Sequence, residues 1–273
     1  MAEDTQTDLI AARKVVNPEE FRFVRYRLEG EVVWLTLDRP EHNLLHEPML
    51  LELAGAIEHA GNQRDVKVMV LGSACKVFSG GIDLGEYTPN RVFQVLSAFE
   101  AAFMAMLETS KPLIVAVNGA AVGGGCEVAA LGDLVIATPR ARFAQPEVTI
   151  GVFPPLAATV LPHLIGPKQT LEMVLIGEPI PAERALELGL VNRVVPEAKL
   201  DAAVKALAAQ IAAQSAPVLS MAKRAVLGGM GLSLKDSLHK SMQIFLNELY
   251  GLEDSQEGLR AVQEKRKPVW KNR

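Results

Sequence analysis

The feature that most constrains the fold is an alternation of short apolar segments and amphipathic segments between residues 66 and 138. Three apolar segments, "VKVMVLG", "PLIVAVNG" and "DLVIAT", are typical of buried strands, and helical periodicity fills the intervals between them. Parallel strands need crossover connections, so this pattern predicts a mostly parallel sheet with both faces covered. The regular spacing also fits a coiled stack of repeating strand–helix turns. We therefore predict an α/β fold.

The segments on either side of this alternation have different patterns. Before it, "FRFVRYRL" and "VVWLTLD" flank Glu29-Gly30-Glu31 and predict a hairpin, and a helix with Pro48 in its first turn follows. Beyond about residue 155 the chain is nearly all helical in pattern, punctuated by Gly and Pro. We predict an N-terminal arm (1–20), an α/β core (21–195) and a helical C-terminal region (196–273).

Charge and composition argue against several classes of function. The formal net charge is −4, whereas a nucleic-acid-binding protein usually has a basic surface. No apolar run approaches the roughly 20 residues that span a bilayer, and the N-terminus lacks the apolar core of a signal peptide. Cys75 and Cys126 have no Cys or His partners at ligand spacing, so we expect buried thiols and no metal site. The predicted compartment is the cytoplasm.

Two glutamates occupy settings that are unusual for a carboxylate. Glu127 follows three glycines in "AAVGGGCEVAALGD", and Glu147 lies in "ARFAQPEVTIGVFPP". An unpaired buried charge is costly, so two acids in apolar surroundings need a reason. A glycine run that opens a helix also leaves backbone N–H groups free to bind negative charge. Paired acids beside such donors suggest acid/base chemistry on a carbonyl compound.

Two glycine-rich turns follow neighbouring predicted strands. The first, "NGAAVGGGCE", does not have the G-x-G-x-x-G spacing of a dinucleotide site, and taken alone it could serve only close packing. In the second, "VFSGGIDLGEY", Gly80 and Gly81 can expose the N–H of Ile82. Two such turns could aim two N–H donors at one oxygen, as in an oxyanion hole. We expect Asp83 to cap the turn that follows.

Five blocks in this order resemble the enoyl-CoA hydratase/isomerase (crotonase) family: "FSGGIDL", "VNGAAVGGGCEVAALGDLVIAT", "ARFAQPEVTIGV", "GEPIPAERALELGLVNRVVP" and "LRAVQEKRKPVW". The resemblance implies a coiled stack of ββα turns followed by a helical trimerisation region, in a homotrimer or homohexamer. It also implies that the N–H groups of Ile82 and Gly124 hold the carbonyl of an acyl-CoA thioester. The remaining implied substrate-binding residues lie in these turns, in a later loop and near the C-terminus: Gly80, Gly81, Asp83, Gly123, Phe153, Pro154 and Lys265.

The resemblance implies separate tasks for the two glutamates. Glu127 mainly holds the water that attacks C3, and Glu147 mainly exchanges the proton at C2. Family isomerases often lack the first glutamate, so the pair favours a hydratase that needs no cofactor beyond the CoA of its substrate. The alternatives are a family isomerase or thioester hydrolase, a non-catalytic acyl-CoA-binding protein, and an RNA-binding relative. The negative net charge of the chain argues against the RNA-binding relative.

Three departures from the family pattern concern the substrate. "GVFPPLAATVLPHLIG" replaces a glycine-rich stretch and is similar to hydratases of cyclic dienoyl-CoA, although a packing change with short-chain activity explains it equally well. Leu84 and Gly85 stand where relatives often carry a lysine that contacts CoA, and Val262 replaces a common phenylalanine. The "EKRK" segment with Lys265 could contact CoA or form a solvated helix end. The apolar helix faces near Met242 and Phe245 have more apolar side chains than one core would bury, which suggests contacts between subunits.

Overall fold

The computed structural model describes residues 17–273, so residues 1–16 of the predicted arm lie outside the described residues. The described chain forms nine strands and ten α-helices, with four short 3-10 turns between them and one π-helix, Phe245–Leu249. The strands are β1 Val24–Glu29, β2 Val32–Leu37, β3 Val68–Ser73, β4 Leu113–Val117, β5 Ala120–Val122, β6 Leu134–Ala137, β7 Arg142–Ala144, β8 Ile180–Pro181 and β9 Arg193–Val194. The helices are α1 Glu47–Asn62, α2 Val92–Glu108, α3 Gly124–Ala130, α4 Pro155–Ile165, α5 Pro167–Ile176, α6 Ala182–Leu188, α7 Leu200–Ala212, α8 Ala216–Leu227, α9 Leu234–Ile244 and α10 Glu253–Gln263.

A six-stranded sheet in the order β1-β2-β3-β4-β6-β9 forms the frame of the molecule. Only the β1–β2 pair is antiparallel, as the hairpin prediction requires, and the other four pairs are parallel. The left-handed Gly30 (φ 59°) closes that hairpin. The prediction of a mostly parallel sheet is confirmed.

Both faces of this sheet are buried, which explains why its central strands are apolar at almost every position. Met69 and Leu71 of β3 point to the side covered by α1 and α2, within the larger apolar cluster. Val68 and Val70 point to the opposite side, where α7 packs with residues that include Val204. Successive side chains of a strand alternate between faces, so each face requires its own apolar residues.

A second, three-stranded sheet differs from the sequence-based prediction. The sequence suggested that a helix directly follows "PLIVAVNG", but β5 intervenes and pairs with β7, which in turn pairs with β8. The chain turns into this sheet at Gly119, where a Cβ would collide with the carbonyl of Lys76. Isolated bridges, Leu45 with Ile82 and Ser79 with Ala121, extend the same layer. Successive strand–helix turns thus contribute to two layers.

The C-terminal part of the described chain is helical after β9, as the pattern predicted. Helix α7 packs on the large sheet, where the buried Lys67, directly before β3, donates to the carbonyl of Ala212 at the end of α7 (3.1 Å). The segment from α8 to α10 has many exposed apolar side chains, among them Leu234 and Leu238 of α9 and Leu246 of the π-helix that follows it. Within residues 17–273 no single helix is long and apolar enough to cross a bilayer; one pair of helices bent by 103° passes that test only when joined.

Candidate functional site

The first feature of the site is a free N–H group at Ile82. Ile82 lies opposite Leu45 in an isolated β-bridge. The hydrogen bonds of this bridge are made by the residues on either side of Ile82: Leu45 N–H donates to Gly81 O (2.7 Å), and Asp83 N–H donates to Leu45 O (2.8 Å). In extended chain, successive N–H groups point in opposite directions. The N–H of Ile82 therefore points away from Leu45, and it has no acceptor within the described residues.

A second free N–H group lies beside the first, at the start of α3. Gly123 donates to Ala144 O (2.8 Å) in a conformation that favours glycine (φ 51°). Gly124 is the first helical residue, and its N–H also has no acceptor among the described residues. A Cβ on Gly81 would lie 2.7 Å from Val122 O and 3.6 Å from Gly124 N, so the two turns approach each other closely. We call the N–H groups of Ile82 and Gly124 the donor pair.

Glu147 lies directly against this glycine turn. It opens a short 3-10 turn (Glu147–Ile150) after β7, and a Cβ on Gly123 would collide with Oε1 of Glu147. Burial raises the pKa of the Glu147 carboxyl above its usual value. Oε2 is buried and has no hydrogen-bond partner among the described residues. This oxygen therefore lacks a hydrogen-bond partner that a bound ligand would supply.

Glu127 lies one helical turn beyond the donor pair. Its N–H donates to Gly123 O (3.0 Å), and its side chain is 4% exposed. Oε1 accepts from the N–H of Ala157 (2.6 Å), in the first turn of α4. Burial raises the pKa of Glu127 to about 7; the negative charge of Glu147 adds to this, and the N–H groups of Ala157 and Leu156 partly oppose it. Glu127 can therefore hold or release a proton near neutral pH.

The two glycine-rich turns and Glu147 border a cleft of about 160 Å³, whereas Glu127 is not among its lining residues. The cleft brings together five of the residues that the sequence analysis selected, namely Gly80, Gly81, Ile82, Gly123 and Glu147. Gly124 adjoins it, because a Cβ there would lie 3.2 Å from the side chain of Ile82. The other lining residues are Leu84, Tyr87, Val122, Pro146, Thr149 and Ile150.

The remaining predicted residues have different surroundings. Asp83 accepts from Gly85 N–H (3.1 Å) and from the guanidinium of Arg39 (2.8 Å), so it caps its turn as expected. The bond to Arg39 holds the pKa of Asp83 below its usual value. Phe153 is 72% exposed, whereas Pro154 is buried and precedes α4. Lys265 is exposed in a left-handed turn (φ 54°) after α10 and does not line the cleft.

Sequence reasoning missed two contributors to the site. The N–H groups of Leu156 and Ala157 reach Glu127 across 30 residues of sequence, and Pro155 at the start of α4 was the available signal. Tyr87 lines the cleft, and its position after "GIDLGE" gave no chemical signal. Among residues 17–273, no cluster of His, Cys, Asp or Glu could hold a metal ion.

Comparison with known proteins shows the family of this chain. The sequence model described as "Enoyl-CoA hydratase/isomerase" matches residues 27–273. The 2,3-dehydroadipyl-CoA hydratase of Escherichia coli (strain K12) is 36% identical over 249 residues, covering 90% of this chain and 97% of that protein. The cyclohexa-1,5-dienecarbonyl-CoA hydratase of Thauera aromatica is 32% identical over 245 residues, covering 90% and 95% of the two chains.

A solved structure gives the same result for the fold. The crystal structure of an enoyl-CoA hydratase subunit from Geobacillus kaustophilus superimposes with a TM-score of 0.87 at 34% sequence identity. The match covers 93% of this chain and 100% of that one. The crotonase-type fold predicted from the sequence blocks is therefore confirmed.

Proposed function

The chain belongs to the enoyl-CoA hydratase/isomerase family, and we propose that it adds water reversibly across the C2=C3 double bond of an enoyl-CoA thioester. The observation that carries this proposal is the meeting of two carboxyl groups, both with raised pKa, beside two free N–H donors. A thioester carbonyl at the donor pair would place its acyl carbons beside Glu147. No metal or redox cofactor is needed for such a reaction.

The donor pair supplies electrostatic stabilisation. When water attacks C3, the electrons of the double bond move towards the thioester and leave negative charge on its oxygen. Two backbone N–H groups that already point at that position need no reorganisation as the charge develops. Losing one such donor typically lowers the rate about 10²- to 10³-fold. The glycines of both turns serve this role because a side chain there would obstruct the approach of the two turns.

The two carboxyl groups divide the proton transfers. Glu127, with a pKa of about 7, takes the proton of the attacking water when it is ionised. Glu147, whose pKa burial also raises, delivers a proton to C2 when it is protonated. Each turnover reverses the two protonation states, and exchange with solvent restores them. The same groups working in the opposite sense dehydrate a 3-hydroxyacyl-CoA.

A panel of thioesters tests this proposal. Purified protein is assayed against straight, branched and cyclic dienoyl-CoA esters, in parallel with Glu127→Gln and Glu147→Gln. We expect hydration of at least one member and its loss in both variants. Isomerisation or thioester hydrolysis that survives Glu127→Gln would show instead that the protein is an isomerase or hydrolase, and deuterium incorporation from D₂O would identify the carbon involved. Binding without turnover would indicate a non-catalytic acyl-CoA-binding protein.

The segment between Glu147 and α4 supports a second, narrower proposal about the acyl group. Pro154 is buried and Pro155 starts α4, which directly contacts Glu127, so this segment is rigid close to the reacting carbons. A rigid wall suits a flat, cyclic acyl group, and the Thauera relative is by name a cyclic dienoyl-CoA hydratase. Turnover of crotonyl-CoA, with none of cyclohexa-1,5-diene-1-carbonyl-CoA, would contradict the cyclic substrate and leave hydration intact.

The CoA contacts and the assembly are also proposals. Arg266 of the "EKRK" segment is bound to Glu257 and Glu264, so it is committed within the C-terminal turn. Lys265 has an exposed ammonium group and could meet a CoA phosphate of the same subunit or of a neighbour. We propose a homotrimer, or a dimer of trimers, built on the exposed apolar residues of α8 to α10.

A further inference from the structure

Tyr87 lines the cleft with a polar side chain that has no role in the chemistry described so far. It lines the cleft together with Gly81, Ile82, Gly123 and Glu147. Its side chain is half-buried, and its hydroxyl has no hydrogen-bond partner within residues 17–273. A phenol in this state can donate its proton to a bound molecule.

Several contacts fix the position of this phenol. The 3-10 turn Leu84–Glu86 ends at Tyr87, whose N–H donates to Leu84 O (3.1 Å). The turn starts at Asp83, which is held by Arg39. At its other end Glu86 pairs with the guanidinium of Arg91 (3.0 Å). The turn is thereby anchored on both sides, and Tyr87 is presented to the cleft by a rigid support.

The electrostatic surroundings keep the phenol neutral. Burial raises the pKa of Tyr87, and the negative charges of Glu127 and Glu147 raise it further. The hydroxyl therefore remains protonated near neutral pH, in a residue that lines the same cleft as Glu147 and lies within the electrostatic influence of Glu127. The only other hydroxyl that lines the cleft, that of Thr149, already donates to Pro146 O (2.7 Å).

The cleft therefore offers one unused donor and one unused acceptor. The donor is the Tyr87 hydroxyl, and the acceptor is the buried Oε2 of Glu147, which has no partner within the described chain. A buried polar atom without a partner is costly, so Oε2 of Glu147 predicts a ligand, and the Tyr87 hydroxyl is a second group that the same ligand can satisfy. An oxygen that accepts one hydrogen bond and donates another is a hydroxyl group or a water molecule.

We propose that Tyr87 is a further catalytic residue, which donates a hydrogen bond to the oxygen that adds to C3. This proposal rests on the hydratase function. The attacking water then gives one proton to Glu127, donates the other hydrogen bond to Glu147 Oε2 and accepts from Tyr87. One lone pair remains, and it forms the C3–O bond while the double-bond electrons move towards the thioester. The second carboxyl oxygen of Glu147 supplies the proton for C2, and Tyr87 keeps its own.

In the dehydration direction the same contact assists the departing hydroxide. Tyr87 would also recognise the 3-hydroxyl of the hydrated thioester, because that group occupies the position of the water. A saturated acyl-CoA without the hydroxyl makes no such contact. The proposal thus predicts a difference between two ligands that differ by one oxygen atom.

Tyr87→Phe removes this oxygen and keeps the ring, and Tyr26→Phe is a matched control. The Tyr26 hydroxyl bonds to Gln63 (3.2 Å) and does not line the cleft. We expect Tyr87→Phe to lower kcat for hydration about fivefold to tenfold, the value of one neutral hydrogen bond. The inhibition constant of butyryl-CoA should change less than about twofold, on the same scale. Tyr26→Phe should change neither quantity.

The outcomes separate the two proposals. If Tyr87→Phe weakens the binding of butyryl-CoA by the same factor as it lowers kcat, Tyr87 does not contact the added oxygen. The same conclusion follows if the substitution changes neither the binding of butyryl-CoA nor kcat. If the wild-type protein hydrates no thioester, the hydratase function fails, and the affinities of 3-hydroxybutyryl-CoA and butyryl-CoA then test Tyr87 directly. A preference for the hydroxylated ligand that disappears in Tyr87→Phe supports the contact. Equal affinities in the wild-type protein overturn it.

Discussion

At the scale of single residues, Gly123 connects the two halves of the candidate site. Its left-handed conformation (φ 51°) directs the next N–H into the donor pair, and its Cα lies against Glu147. Any side chain here would meet the carboxyl group and also strain the backbone. One position thus sets the distance between the donor pair and the carboxyl group of Glu147.

We predict that Gly123→Ala lowers hydratase activity at least about 10²-fold, because it displaces both Glu147 and a donor of the pair. The control is Gly30→Ala, whose glycine is also left-handed (φ 59°) but has no atom within 4 Å of an added Cβ. Both variants should lose about 1 kcal/mol of stability from backbone strain. Steady-state kinetics and urea unfolding measure the two effects. Equal activity in the two variants would contradict this role of Gly123.

Glu127 should make the stability of the protein depend on pH. Burial raises its pKa from 4.5 to about 7, so the folded state retains a proton that the unfolded state has released. Its contribution to stability is therefore complete below about pH 4.5 and is lost as the pH rises through 7. Glu127→Gln removes the ionisation, and its amide oxygen can still accept from Ala157.

We expect Glu127→Gln to gain stability relative to the wild-type protein as the pH rises, by an amount on the order of 3 kcal/mol between pH 4.5 and pH 8. Urea unfolding at both pH values measures the difference. We also expect this variant to lose hydratase activity. A variant that is more stable but inactive would show that the carboxylate is kept for catalysis although it lowers the stability of the protein. A stability difference independent of pH would contradict the raised pKa.

Local sequence was enough to identify the glutamates and glycines of the site. A run of glycines, or an acid within an apolar segment, can be recognised as unusual from a few residues of sequence, without knowledge of the rest of the chain. The bond between Glu127 and Ala157 was not accessible in this way, because it depends on how α4 packs 30 residues later. Tyr87 could not be predicted for a related reason. A single tyrosine after a turn has no distinguishing sequence pattern, and only the fold places it in the cleft.

At the scale of elements, α8 is attached to the core by a largely buried ion pair. Lys223 of α8 contacts Asp133 (2.7 Å) just before β6 and donates to Lys111 O (3.1 Å) before β4. Asp133 also accepts from the N–H of Leu113 (2.7 Å). One helix is thus linked to two adjacent strands. The next residue, Arg224, pairs with Glu248, with both side chains about half exposed.

We predict that Lys223→Ala destabilises the protein by about 3 kcal/mol, because it leaves Asp133 largely buried without its cation. Arg224→Ala, on the same helix, should cost less than about 1 kcal/mol, since an exposed pair contributes little. Chemical unfolding of both variants gives the comparison. Equal losses would show that α8 is not held by the buried pair.

Sequence patterns located most of these elements but not their layering. Apolar strands and amphipathic helices were recognisable because each face of an element must match its surroundings. The three-residue strand β5 and the two-residue strands β8 and β9 are too short to produce a period. Their existence depends on pairing with distant segments, for example β6 with β9. Packing of α7 on the large sheet likewise follows from tertiary structure.

At the scale of the whole molecule, the segment from α8 to α10 carries apolar side chains that a monomer would leave in water. The exposed apolar residues of this segment include Leu234 (91%) and Leu238 (63%) on α9 and Leu246 (59%) in the π-helix that follows. Such exposed apolar residues favour association. We predict a trimer or hexamer at micromolar concentration, and light scattering coupled to gel filtration measures it.

Leu238→Glu should shift the assembly towards the monomer, because it places a charge within the proposed contact. Leu28→Glu, on β1 and 46% exposed, is the control and should leave the mass unchanged. A wild-type monomer would contradict the proposed assembly. Dissociation by Leu28→Glu rather than Leu238→Glu would place the interface on another face.

The most direct test of the central claim is the rate of hydration in four proteins: the wild type, Glu127→Gln, Glu147→Gln and the double variant. The assay uses whichever enoyl-CoA of the panel the wild-type protein turns over fastest. We predict that each single variant loses about 10²- to 10⁴-fold in kcat. The double variant should lose far less than the product of the two, because the carboxyl groups act as one unit. Hydration that persists within tenfold of the wild-type rate in either single variant would contradict the two-carboxyl mechanism.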